Sequence, residues 1–236
     1  MNISIHQPDY IPYLGLFYKL FQSKAFIFLN DAQFSNDNNH HWNRIKTPQG
    51  ELKIKIPVDY KFGDSIDQVR TKDELGWKEK HLKSIHCNYA RAKHFDEIFS
   101  WLSNLLLQDY PSLSAQNIAI TKSIINGFGF KLDYYLSSDF SFASRKEERV
   151  IDLCCKMHEI YNKPITYISG NGARAYEVED HFAERKIKLV YSDYAGSKYK
   201  QLWKNFVPNM SIIDFLFNYG FDKDAFDNSI VHTKDE

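Results

Sequence analysis

Residues 2–29 read Asn2-Ile3-Ser4-Ile5-His6-Gln7-Pro8-Asp9-Tyr10-Ile11-Pro12-Tyr13-Leu14-Gly15-Leu16-Phe17-Tyr18-Lys19-Leu20-Phe21-Gln22-Ser23-Lys24-Ala25-Phe26-Ile27-Phe28-Leu29, and this stretch sets the fold class. Ile3 and Ile5 alternate with polar neighbours, as in a short strand. Pro8 and Pro12 forbid an ordinary helix across the next segment, because each lacks an amide N–H and restricts the residue before it. Tyr13, Leu16, Phe17, Leu20 and Phe21 then recur at helical spacing, and residues 26–29 form an apolar run of strand length. Strand, proline-stiffened loop, helix and strand make the opening unit of a parallel sheet. The loop presents His6, Gln7, Asp9 and Tyr10 directly after a strand end, a position where binding and catalytic groups concentrate.

The same reading extends along the chain. Residues 52–57 alternate strictly, with Leu52, Ile54 and Ile56 against Lys53 and Lys55, as a half-exposed strand does. Three helices follow. They carry Trp77, His81, Leu82 and Ile85, then Ile98, Phe99, Leu102, Leu105 and Leu106, then Ile118, Thr121, Ile124, Ile125 and Phe128, the last stopped at Gly127 and Gly129. A strand is expected near 132–136. Ser144-Arg145-Lys146-Glu147 has the form of a capping box and opens a helix burying Val150, Ile151, Cys154 and Met157. Residues 164–168 read as a strand, 173–185 as a helix and 187–191 as a strand. Ser211-Ile212-Ile213-Asp214 is a second capping box, starting a short apolar helix that Gly220 stops. The tail after Asp222 is polar and is expected to fray. These elements predict an α/β fold: a mostly parallel sheet with flanking helices and a helical middle segment. The expected organisation is one domain over 1–222 with a helical insertion at about 75–128, and a polar tail over 223–236. Two lobes meeting at a cleft is the alternative.

Composition bounds the function. A chain of 236 residues can bury a sizeable core, and 30 basic against 30 acidic residues leave no net charge to attract nucleic acid or an anionic membrane. Three cysteines with no CxxC spacing argue against a disulfide framework or zinc knuckle, and so for a reducing compartment. The opening Met1-Asn2-Ile3-Ser4-Ile5 lacks the basic start and long apolar run of a signal peptide, and no stretch approaches the roughly 20 apolar residues of a membrane span. A soluble cytoplasmic protein is expected. The 16% aromatic content suits a site for sugars or nucleotides, and a tyrosine-rich core accounts for it equally well.

In open α/β sheets, ligands bind beyond the carboxyl ends of the strands. Those ends here deliver His6, Gln7 and Asp9; Asn30, Asp31 and Gln33, leading on to Asn43, Arg44 and Lys46; Ser137, Ser138 and Asp139; Ser169-Gly170-Asn171-Gly172; and Ser192, Asp193 and Tyr194. Ser169 to Arg174 is the best phosphate candidate, since glycines between a strand and a helix allow close backbone approach and Arg174 adds charge. It matches neither GxGxxG nor a P-loop, and a plain strand-to-helix turn explains it too. Arg44 and Lys46 lie on one side of an extended segment and could hold a phosphate or carboxylate. His40 and His41 would alternate faces on a strand and do not converge on one ion, so they are read as part of a solvated loop. No metal site is assigned, and Ser-His-Asp and nucleophile-elbow patterns are absent from the sequence.

Taken together, several segments resemble the WbqC-like family: residues 5–15, Asp31-Ala32-Gln33-Phe34, Asn43-Arg44-Ile45-Lys46-Thr47, Trp77-Lys78-Glu79-Lys80-His81-Leu82, Glu148-Arg149, Tyr167-Ile168-Ser169-Gly170 and Pro208-Asn209-Met210-Ser211-Ile212-Ile213-Asp214. They run in order across nearly the whole chain. The resemblance implies a role in bacterial surface-polysaccharide biosynthesis (O-antigen or capsule) and suggests acyl or aminoacyl transfer onto a nucleotide-linked amino sugar. A non-catalytic sugar-nucleotide or enzyme-binding partner in the same pathway is the alternative. His6, Gln7, Tyr10, Asp31, Gln33, Asn43, Arg44, Lys46, Ser169 and Gly170 match the family's motifs. Asn30 departs from them where a second acid is common, which weakens a metal reading. The opening is also similar to the ATP-binding turn of nucleotidyltransferase-like ligases, where histidine stabilises charge on phosphates. That would call for ATP and magnesium, but the spacing from His6 to Gly15 departs from the signature. The resulting expectation makes His6 the acid/base or phosphate-stabilising group and Asp31 a base or metal ligand. Gln7, Tyr10, Gln33, Asn43, Arg44, Lys46, Ser169, Gly170 and Arg174 would hold substrate or phosphate. Neither nucleic acid nor membrane insertion is expected, and the oligomeric state stays open.

Overall fold

The computed structural model describes residues 1–175 and 177–233. In chain order the opening unit is β1 (Asn2–His6), α1 (Leu14–Phe21) and β2 (Ala25–Phe28). Two small hairpins follow, β3 (Trp42–Thr47) with β4 (Gly50–Lys55) and β5 (Val58–Asp59) with β6 (Arg70–Thr71). The middle segment is α2 (Trp77–Tyr89), α3 (Phe95–Leu106) and α4 (Leu113–Gly127). The sheet resumes with β7 (Asp133–Leu136), α5 (Lys146–Tyr161), β8 (Thr166–Ser169), α6 (Glu179–Glu184) and β9 (Lys188–Tyr191). Last come β10 (Tyr194–Ser197), α7 (Ile212–Tyr219), α8 (Lys223–Ser229) and β11 (Ile230–His232).

Among the described residues, five strands form one parallel sheet in the order β7-β2-β1-β8-β9. The chain begins at the centre, builds outward through β2 and β7, then returns to lay β8 on the other side of β1. Strand order therefore reverses between β1 and β8, and a crevice opens beyond their carboxyl ends. Period-two alternation divides the apolar side chains between the two faces. Ile3 and Ile5, with Ala25 and Ile27, pack on Ile151, Cys154 and Met157 of α5 and Phe182 of α6. Phe26 and Phe28 point the other way, into a core shared by α1, the middle helices, α7 and α8. Each fully buried side chain of this size contributes about 1.5–3 kcal/mol, and a one-residue slip would turn every one outward, so the register is strongly specified. The α/β class and the parallel sheet match the sequence reading.

Four local expectations change. Ser144 does not cap α5: its hydroxyl donates to Asp152 at 2.5 Å, and the helix starts at Lys146, a residue with φ +54°, without a side-chain cap. The second box forms by half, since Ser211 accepts the Ile213 N–H while Asp214 accepts from the Tyr89 and Tyr199 hydroxyls at 2.8 Å each. The single helix expected over 173–185 is instead a 3-10 turn at Asn171–Ala175 and the short α6, with Tyr176 outside the described residues. Glu147 restarts the helix by accepting the Val178 N–H. The tail is ordered over 223–233: Asp222 caps α8 by accepting the Ala225 N–H at 2.9 Å, Phe226 is fully buried, and β11 pairs with β10. Residues 234–236 of that tail lie outside the described residues. No described helix is long and apolar enough to cross a membrane.

Candidate functional site

Two prolines leave the loop after β1 without a regular ladder, so side chains must satisfy its carbonyls. Asn117 of α4 donates to the Pro8 and His40 carbonyls at 3.0 and 2.7 Å. Asn43 of β3 donates to those of Tyr10 and Ile11 at 3.0 and 2.7 Å, and the Ser211 hydroxyl reaches Ile11 as well, at 2.7 Å. These anchors hold Ile11 at φ +42°, a conformation that costs a β-branched residue about 1–3 kcal/mol.

The loop's anchored form sets a three-residue relay. His6 Nε2 meets Asp9 Oδ2 at 3.2 Å, and His40 Nδ1 meets Asp9 Oδ1 at 2.9 Å. His40 is fully buried and the Asp9 side chain is 15% exposed, while the His6 side chain, at 35%, opens to solvent. Burial would raise the Asp9 carboxyl, but the hydrogen bonds from His40 and His6 outweigh it and hold the group below the usual carboxylate range. Burial lowers the His6 pKa, against the opposing pull of Asp9, so the imidazole is neutral at neutral pH. A neutral ring donating from Nε2 to Asp9 carries its lone pair on Nδ1.

His6 lines a cleft of ≈ 860 Å³ set where strand order reverses, with β1 on one side and β8 on the other. Its walls come from α1, the start of α5 and the turn after β8. Gly15 lets α1 pass under the cleft's aromatic wall, since a Cβ there would stand 2.7 Å from the Tyr194 ring. Gly170 and Gly172 face the opening, and a Cβ on either would occupy empty space. On the floor, buried Lys19 donates to the Ile5 carbonyl at 3.1 Å, and burial pushes its pKa down to about 8. Glu177 accepts from the Tyr167 hydroxyl at 3.3 Å, and burial raises its carboxyl. Arg145 and Lys146 supply cationic groups at the mouth.

Of the residues given roles from sequence, His6, Gln7, Ser169 and Gly170 line this cleft, joined by the strand-end residues Asn171, Gly172, Ser192 and Tyr194. The other residues given roles lie elsewhere. Asp31 is ion-paired to Arg149 and accepts from the Ser137 hydroxyl. Arg149 in turn donates to the carbonyls of Ser137, Phe140 and Phe142, pinning the segment that leads into α5. Tyr10 is fully buried against His81 Nδ1 at 3.0 Å, and burial raises its phenol far above the ordinary value. Asn43 anchors the proline loop, and exposed Gln33 makes a strand-like bridge with Ser65. Arg44 pairs with Glu51 at 3.4 Å over the Trp42 ring, while Lys46, buried, donates to the Asn205 carbonyl. Exposed Arg174 lies over the Tyr191 ring, 4.1 Å from its centroid. His40 and His41 are not solvated: both are buried beside Phe34, because the chain folds back as β3 and carries them beneath the loop. Sequence reasoning passed over Lys19 and Glu177. Lys19 had a signal, falling three residues after Leu16 on the apolar side of α1. Glu177 had none.

These features define a parallel α/β protein with a cleft at the reversal of strand order and a histidine held by a largely buried carboxylate at its edge. The chain belongs to the WbqC-like protein family, whose profile matches residues 7–225. It is 35% identical over 223 residues to the uncharacterized protein Rv1507c of Mycobacterium tuberculosis (strain ATCC 25618 / H37Rv), spanning 93% of this chain and 94% of that protein. No solved structure matches.

Proposed function

We propose that the protein transfers an acyl or aminoacyl group to the amine of a nucleotide-linked sugar in the cytoplasmic stage of surface-polysaccharide synthesis, with His6 as the base. The observation that carries this reading is the neutral His6, oriented by Asp9 and His40 at the edge of a cleft large enough for a nucleotide-sized ligand. As the sugar nitrogen attacks the acyl carbon, its proton passes to His6 Nδ1, and the donor's leaving group departs with the bonding pair. The turn at 169–172 and Arg145 suit the diphosphate by backbone approach and charge. A magnesium-ATP route fits the residues less well: it would draw on Asp31, which Arg149 already neutralises outside the cleft lining. The donor in this reading is therefore already activated.

The test incubates the pure protein with nucleotide-linked amino sugars and a panel of acyl and aminoacyl donors, with and without ATP, and reads product masses. The expected result is a mass gain of one acyl group, reduced about 10²–10⁴-fold by His6→Gln. Nucleotide-sugar binding without a mass gain from any donor would overturn catalysis and leave a binding module.

A further inference from the structure

Glu177 is 8% exposed and lines the cleft, yet its Oε2 has no hydrogen-bond partner among the described residues. Its other oxygen accepts from the Tyr167 hydroxyl at 3.3 Å, and Ser169 Oγ donates to that same hydroxyl at 3.3 Å. Neutral donors thus meet one oxygen of the carboxylate and leave the other, Oε2, buried and unmet in the wall of the cleft. The other buried charge on the floor, Lys19, donates to the Ile5 carbonyl and attracts Glu177 through space without a contact of ion-pair length, so Oε2 keeps no donor among the described residues. A buried carboxylate oxygen with no partner is costly, and a neutral donor would relieve its hydrogen bonding but not its charge. A cation relieves both, and a small ammonium group fits such a point acceptor.

We infer that Glu177 is the amine-recognition site of the cleft, its carboxylate turning to accept a charge-assisted hydrogen bond from a protonated primary amine of the bound ligand. The inference deepens the function proposed above and rests on it only for where that amine resides: on an amino-acid part of the donor it stays protonated, and on the sugar it gives one proton to the Glu177 carboxylate before the nitrogen attacks. Lys19, beside it on the floor, disfavours a second cation and selects a ligand whose amine has an anionic or polar neighbour.

Calorimetric titration of the full chain decides the matter with two probe sets. One is a UDP-linked amino sugar with a free amine, its N-acetyl counterpart and its hydroxyl counterpart. The other is L-alanine and N-acetyl-L-alanine. The wild type should bind an amine probe at least about tenfold more tightly than its neutral counterparts. Glu177→Gln should bring the ratio to within about twofold, with the larger loss falling on the amine probe. Preference within the sugar set assigns the amine to the acceptor, and preference within the alanine pair assigns it to the donor; either supports the site. Equal wild-type affinity for amine and neutral probes, a preference that survives Glu177→Gln, or no binding of any amine overturns it. Should Glu177→Gln fail to fold, Glu177→Asp takes its place: it retracts the carboxylate and should cut the amine preference, and a preference it leaves intact overturns the site. The transfer reading fails separately, by binding without a product mass, even where the amine preference is found.

Discussion

Asp31→Asn separates a reacting group from a structural pin. The substitution keeps the shape of the side chain and an acceptor for Ser137, and removes the negative charge facing Arg149. The two side chains are 29% and 11% exposed, so the pair is mostly withdrawn from water. Breaking a fully buried pair by neutralising one partner costs about 3–5 kcal/mol, because the other charge is stranded. Arg149 keeps its bonds to the Ser137, Phe140 and Phe142 carbonyls, and Asp31 retains some solvent, so the expected loss is smaller, about 2–3 kcal/mol. For a chain of this size that lowers Tm by about 4–12 °C. Urea unfolding followed by tryptophan fluorescence should show a lower midpoint with unchanged slope, while nucleotide-sugar affinity at 20 °C stays within about twofold. Arg149→Met strips the carbonyl clamp as well and should cost at least about 3 kcal/mol. An Asp31→Asn protein of unaltered midpoint that has lost turnover would refute the reasoning and return Asp31 to the chemistry.

Three further outcomes follow from the geometry. Asn117→Ala leaves the Pro8 and His40 carbonyls unpaired in the interior, a loss of about 2–4 kcal/mol in urea unfolding, and it should also disturb ligand binding through the His40–Asp9–His6 relay. Stability should fall with acid in two windows. Burial lowers His41 and His81 from 6.5 to about 4, so both stay neutral in the fold but protonate sooner when unfolded; their contribution is complete above pH 6.5 and is lost as pH falls towards 4. Each adds up to about 1.4 kcal/mol per pH unit there, and His41→Met should flatten the limb by as much as one proton. Asp9, held below the usual carboxylate range, adds a second loss below about pH 4. A chain ended at Asp222 should lose more than the about 3–5 kcal/mol of Phe226→Ala, because α8 and β11 go with it; near-native urea stability of the truncated chain would refute this role of the tail.

The parts of this fold legible in the sequence are those that local pattern fixes. Ile3 and Ile5 in alternation, two prolines and the helical spacing from Tyr13 to Phe21 specify a strand, a stiff loop and a helix without help from the rest of the chain. The parts that were not legible depend on partners far away. Asp31 reads as a free strand-end acid until Arg149, 118 residues later, is placed against it. His40 and His41 read as polar loop because nothing local reveals that β3 and Phe34 will cover them. Phe226 is a single aromatic in a polar run, and only the rings of Phe21, Phe128 and Phe215 show that it is core. The same logic divides the site: His6 and Ser169 sit at strand ends and could be found, whereas Glu177 enters the cleft after an irregular turn with no period to mark it.

The middle helices are part of what builds the site. A loop that leaves a strand through two prolines cannot hold its own carbonyls, and the groups that hold them here come from α4, β3 and the start of α7. The buried end of the relay, His40, is fixed through its carbonyl by Asn117 of α4, and Tyr10 is fixed by His81 of α2. Strand order places the crevice between β1 and β8, but it does not place an imidazole at a chosen angle within it. That angle is set by Asp9, whose own position depends on a loop anchored outside the central sheet. Residues 75–128 and the segment around Ser211 therefore set the position of His6 from outside the cleft lining. Sequence change in them should alter the orientation and proton affinity of His6 before it alters the shape of the cleft.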